Sequence, residues 1–189
     1  MFIVLEGPDG SGTTTHAAML AEKLQGQGKK ILLTAEPSSG PIGLGIRESL
    51  KRGGLSPEAL QTLFVEDRAW HLENEILPAL RGGKVVICDR YISSTFAYGE
   101  ALGLEKEWLR SANASFRRPD VLIFLLPPVD ICWQRMGVRA NKDTLETREL
   151  QEAVHAAYHR NAKEEKAIVI DSAGGIEEVG QVIERAVML

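Results

Sequence analysis

Gly7, Gly10 and Gly12 lie in the stretch GPDGSGTTT, directly after the apolar run Phe2–Leu5 and directly before a helical pattern. Glycines so spaced let the backbone curl with its N–H groups turned inward. A helix starting there adds partial positive charge, which is the chemistry of phosphate binding by main chain. Gly7 and Gly12 meet the G-x-x-x-x-G spacing of a P-loop, but Thr13 stands where that motif carries lysine, and Thr14 follows it. The segment Gly7, Pro8, Asp9, Gly10, Ser11, Gly12, Thr13, Thr14 and Thr15 is therefore expected to hold nucleotide phosphates without an ammonium group. A Thr14 or Thr15 hydroxyl could reach a magnesium ion or a phosphate oxygen. The plain alternative is a glycine-rich turn that only feeds a helix.

Four further stretches carry related chemistry. In CDRYISSTFAYG, Asp89 could order magnesium through water or orient a neighbouring arginine, and Arg90 could bind phosphate through paired N–H groups. Thr95 and Tyr98 follow on the next helical pattern. Leu60, Phe64, Arg68, His71 and Glu75 recur at three- and four-residue spacing and so share one helical stripe. On it, Phe64 could stack a flat base while Arg68 reaches its phosphate; the alternative is an exposed ring beside a surface ion pair. TAEPSSGPIGLGIRESL offers a rigid Glu36-Pro37 exit, a Gly/Ser/Pro loop and then Arg47. In QRMGVRANKDTLE, Arg135, Arg139 and Lys142 straddle a Gly/Asn interruption, as suits a lid over residues 136–147 that closes over phosphates and excludes water. Asp171-Ser172-Ala173-Gly174-Gly175 could touch a base edge or form only a turn.

These groups need elements to position them. Five short apolar runs punctuate the chain: Phe2–Leu5, Ile31–Leu33, Val85–Cys88, Val121–Leu126 and Ile168–Ile170. None alternates with polar residues, which is how strands covered on both faces read. Helical patterns separate them, the longest opening at Ser56-Pro57-Glu58, with Leu63, Trp70 and Leu77 taken as its core face. Strand and helix in alternation predict a doubly wound α/β fold in a single domain, residues 1–189, with ligands beyond the carboxyl ends of the strands. The net charge of −4 gives no general attraction to polyanions, so nucleic acid is not expected as a partner. The apolar run ending at Leu126 is too short to cross a bilayer. Cys88 and Cys132 read as buried free thiols, and the expected location is the cytosol.

Taken in order, the motifs resemble the thymidylate kinase family across essentially the whole chain. FIVLEGPDGSG resembles its first strand and phosphate loop, EPSSGPIGLGIR its second-strand loop, and LFVEDRAWH its Leu-Phe-x-x-x-Arg helix; DRYISSTFAYG and RRPDVLIFLLPP resemble its Asp-Arg-Tyr and Pro-Asp segments. The resemblance implies a P-loop three-layer sandwich with a five-stranded parallel sheet, a lid, and transfer of a phosphoryl group from ATP with Mg²⁺ to dTMP. It implies that Phe64 stacks on thymine, that Arg68 bonds the base edge or anchors the nucleotide, and that Arg90 holds the dTMP phosphate, with Asp9 near the ribose or phosphate. Pro37, Arg47, Ser94, Thr95 and Tyr98 fall where the family lines the dTMP pocket, and Thr14 and Asp89 near its metal. Arg135 falls beside ATP, while Arg139 and Lys142 join Asp9 and Arg90 as catalytic candidates. A homodimer packed through helices is implied as well. Thr13, Ala35 and Thr144 depart from the pattern, standing where lysine or arginine is common, and Trp70 replaces a frequent glutamine. From the residues alone, a non-catalytic nucleotide-binding protein, a kinase of another nucleotide and a scaffold with a glycine turn all stay open.

Overall fold

Each apolar run is a strand in the computed structural model, which describes residues 1–137 and 144–188. They are β1 (Phe2–Glu6), β2 (Ile31–Ala35), β3 (Val85–Asp89), β4 (Val121–Leu125) and β5 (Ile168–Ile170). All pair in parallel, in the order β2-β3-β1-β4-β5, with Leu5 level with Asp89 and Glu6 level with Phe124. Successive strand residues point to opposite faces. Ile3, Leu5, Ile87, Ile123 and Leu125 therefore pack against α1 (Thr13–Gly26) and α9 (Ile176–Val187). Phe2, Val4, Val86 and Cys88 turn the other way, toward Leu72, Ile76 and Ala79 and toward α5 (Ile92–Ala101) and α6 (Lys106–Ala112). Phe124 and Leu126 meet α8 (Arg148–Glu164) on that second face. The result is the three-layer α/β arrangement that the sequence implied. Among the described residues, no helix is long and apolar enough to cross a membrane.

Local chemistry sets the helix starts. Ser56 Oγ accepts the Ala59 N–H at 3.2 Å and Pro57 opens α3 (Pro57–His71), while Thr147 caps α8 through the Leu150 N–H. Two expectations about the long helix need correction. It is not one α-helix: a π turn, Leu72–Ile76, follows α3, and then comes α4 (Leu77–Arg81), which carries Pro78. Leu63 and Trp70 do not form the core face either. Both are half-buried, and the residues packed on the sheet are Leu72, Ile76 and Ala79. The buried face of α3 is the polar one, with Asp67, Arg68 and His71 fully enclosed. Periodicity located a stripe, but the docking of the helix chose which stripe goes inside.

The connections aim the site. β1 sends its chain to α1 on one face of the sheet, and its neighbour β3 sends its chain to α5 on the other. A crevice opens where adjacent strands part in this way, and ligands of such sheets bind there. The remaining helices, α2 (Pro41–Arg52) and α7 (Val129–Gly137), flank that end.

Candidate active site

The phosphate loop lies at this crevice. Gly10 and Gly12 have φ of +79° and +95°, and a side chain at Gly10 would run into the Cys132 carbonyl of α7. Only glycine allows that approach at that φ. Thr13, in the lysine position, is buried. Thr14 Oγ1 donates to Asp89 Oδ2 at 2.5 Å, linking the start of α1 to the end of β3. Asp89 Oδ1, buried beside it, has no hydrogen-bond partner among the described residues. A hydroxyl and a half-free carboxylate are hard oxygen donors. They suit Mg²⁺, which takes one or two protein ligands and fills its shell with water and phosphate oxygens. The residues fit the ion only in that shared manner, because no group of three or more His, Cys, Asp or Glu side chains among the described residues could enclose a metal.

One step along the crevice, Asp9 is a hub. Its Oδ1 accepts from Arg90 Nη2 at 2.7 Å, and its Oδ2 accepts from Tyr98 Oη and Gln151 Nε2, both at 2.8 Å. Arg90 sits at φ +69°, its N–H held by the Leu5 carbonyl and its guanidinium over the Tyr98 ring. Burial pushes the Tyr98 phenol up, so it stays a proton donor to Asp9. The turn after β3 is set by Glu6, whose carboxylate accepts from the Tyr91 and Ser94 N–H groups, from Ser94 Oγ at 2.6 Å and from Tyr158 Oη at 2.9 Å. Burial raises the Glu6 carboxyl above its usual range, while the Ser94 hydroxyl, the Arg90 charge, the Tyr158 hydroxyl and the Tyr91 N–H pull against it.

The crevice deepens into a cavity of about 370 Å³ that runs from Asp9, Thr14 and Arg90 to Phe64, Arg68 and Thr95. Arg68 is 1% exposed. It donates to Glu36 Oε2 at 2.7 and 3.0 Å, to the Tyr91 carbonyl, to Thr95 Oγ1 and to Asn113 Oδ1. His71 bonds the other oxygen of Glu36, so the arginine is locked in place. The loop after β2 is held by Asp67, which accepts from both the N–H and the hydroxyl of Ser38 at 2.6 Å. Arg47 donates to the Pro37 and Ser38 carbonyls of the same loop, beside a cis Glu36–Pro37 bond. Pro37, Arg47 and Ser94 all line the cavity with Tyr98.

A glycine loop at a helix start stands beside a cavity lined by Arg90, Arg68 and Phe64, and the comparisons with known proteins give this site a lineage. The family model described as thymidylate kinase matches residues 5–183. The chain belongs to the thymidylate kinase family. It is 42% identical over 186 residues to a probable thymidylate kinase of Pyrococcus abyssi, covering 94% of this chain and 91% of the relative. It is 41% identical over 170 residues to a thymidylate kinase of Thermomicrobium roseum, covering 86% and 81%. A thymidylate kinase of Xylella fastidiosa is 43% identical over 141 residues, 75% of this chain and 68% of the relative.

The positions that the sequence set apart from the family pattern are scattered around the cavity's rim and supports. Ala35 lines the cavity, and the Thr144 N–H bonds the Leu50 carbonyl at the end of α2. Trp70 packs against Gly40 in the loop after β2, so it supports that loop from outside. Arg135 reaches the phosphate loop from α7, donating to the carbonyls of Gly10 at 3.4 Å and Ser172 at 2.9 Å. Ser172 in turn donates to the Ser11 carbonyl, and Asp171 accepts from the Ala173 N–H, which makes the Asp171–Gly175 segment a turn against the loop. Arg139 and Lys142 lie outside the described residues. Glu6 and Gln151 were not recognised in the sequence. Gln151 holds the Asp9 side chain, accepts the Asp9 N–H at 3.3 Å and donates to the Leu145 carbonyl. A glutamate closing a strand was the available signal for Glu6; Gln151 looked like any polar residue of a helix.

Proposed function

We infer that the chain is an ATP-dependent nucleoside monophosphate kinase that converts dTMP and ATP to dTDP and ADP. The observation that carries this reading is Arg90: paired with Asp9 at 2.7 Å, it stands between the phosphate loop and the cavity bearing Phe64 and Arg68. An acceptor that already carries a phosphate fits that span, with its base at Phe64 and its phosphate at Arg90. The amides of Gly10 to Thr15 and the start of α1 cradle the donor phosphates. Asp9, fixed by Tyr98 and Gln151, keeps the Arg90 fork aimed at the acceptor phosphate. Tyr98 closes the sugar side, where its bulk disfavours a ribose 2′-hydroxyl. Thr14 and Asp89 would hold Mg²⁺, which neutralises charge on the transferring phosphate.

The absent P-loop lysine removes one charge-assisted hydrogen bond, worth roughly 1.5–3 kcal/mol. Felt only in the transition state, that is about a tenfold to hundredfold effect on rate. The missing charge falls to Arg139 or Lys142 of the lid, residues 136–147, or to Arg135 just before it. The family resemblance also supports a homodimer and a cytosolic location. A coupled ADP-release assay with dTMP, ATP and Mg²⁺ tests the kinase. Turnover far above that of Gly12→Asp is expected, and turnover no higher would sink the reading. Loss of cations at Thr13, Ala35 and Thr144 favours one alternative, a nucleotide-binding homologue without catalysis, which would bind dTMP and ATP in that assay without releasing ADP. If Arg139 supplies the charge, Arg139→Ala lowers kcat far more than it raises the dTMP Kd; equal losses would exclude a transition-state role.

A further inference from the structure

Gln61 lies on α3 three residues before Phe64 and seven before Arg68, a spacing that sets the three side chains on one stripe of the helix. All three line the cavity. Gln61 is 1% exposed, and neither atom of its carboxamide has a hydrogen-bond partner among the described residues. A buried amide left unpaired is costly, and native structures almost always satisfy one. Other polar groups lining the cavity are taken up elsewhere: Arg68 is bonded to Glu36 and Thr95, and Arg47 to the Pro37 and Ser38 carbonyls. The cavity is the space beside Gln61 that can admit a partner.

We propose that Gln61 reads the base of the acceptor nucleotide, donating to a ring carbonyl and accepting the adjacent ring N–H. This deepens the kinase reading and rests on it. A carboxamide offers one donor face and one acceptor face side by side, the complement of the imide edge of thymine or uracil. The acceptor phosphate belongs with the Arg90 guanidinium in the reading above, which leaves the base as the group for Gln61. Phe64, one turn along the helix, supplies the flat surface that would present the base edge.

The test uses Gln61→Met, which keeps the length and removes both hydrogen-bonding atoms. The KM for dTMP should rise about tenfold while the KM for ATP stays put. Thymidine, which lacks the phosphate, should lose the same factor as a competitive inhibitor. The ligand-free variant should melt no lower than the parent, since an unpaired polar group has been removed from its interior. An unchanged dTMP KM overturns the proposal, as does a loss for dTMP that thymidine does not share. A parallel measurement needs no variant: N3-methylthymidine should bind the parent protein at least tenfold more weakly than thymidine, and equal binding again overturns it. A parent protein that fails to turn over dTMP at all strikes the kinase reading instead, so the two failures are separable.

Discussion

Asp9, Arg90 and Tyr98 could be picked out from residue type and position because charged and aromatic groups immediately beyond a strand announce themselves. Their geometry could not. Asp9 is held in part by Gln151, 142 positions away, which bonds both its backbone and its side chain. Gln151→Leu leaves Arg90 and Tyr98 to hold a looser carboxylate, and the dTMP KM is expected to rise about fivefold, roughly 1 kcal/mol. Steady-state kinetics at saturating ATP would show it, and an unchanged KM would mean that the glutamine is only packing. At the metal end, Asp89→Asn keeps the shape beside Thr14 but weakens the carboxylate oxygen that lies unpaired. The Mg²⁺ concentration for half-maximal rate should then rise at least tenfold, whereas a simple structural defect would lower the rate at all concentrations alike.

At the scale of elements, the strands and the start of α3 were legible because each depends on a few neighbouring residues: a run of β-branched and aliphatic side chains, or a serine followed by proline. The inward face of α3 was not, because its buried side is the polar one. Asp67, Arg68 and His71 go inside since Glu36 and Ser38, on the loop after β2, supply their partners. That pairing is what shapes the loop carrying Pro37 to the cavity. Asp67→Ala strands the buried Ser38 N–H and hydroxyl, and a loss of about 2–3 kcal/mol in unfolding free energy is expected, read from urea denaturation. A loss under about 0.5 kcal/mol would show that the loop holds itself.

Over the whole molecule, stability carries a pH dependence that originates away from the cavity. Burial raises the Glu165 carboxyl, just beyond α8, from 4.5 to about 7; the Ser93 hydroxyl opposes the shift, and the charge of Glu6 adds to it. The folded protein thus keeps a proton there that the unfolded chain releases above pH 4.5. Stability from this group is complete below about 4.5, falls between 4.5 and 7, and is level beyond. Glu165→Gln should therefore unfold at higher urea than the parent at pH 8, by at most about 3 kcal/mol, with the gap closing toward pH 4.5. A gap that does not vary with pH would contradict the buried proton.

Sequence alone determined the alternation of strand and helix, the glycine-rich loop after the first strand and the threonine after its last glycine, because these are properties of contiguous residues. The tertiary structure decided which polar side chains line the cavity and which brace the residues that do. Gln61, Glu6 and Gln151 look like unremarkable surface or strand-end residues until α3 and α8 dock on the sheet. A helix records its own stripes in its period of 3.6 residues, but the stripe that turns inward is chosen by partners distant in the chain.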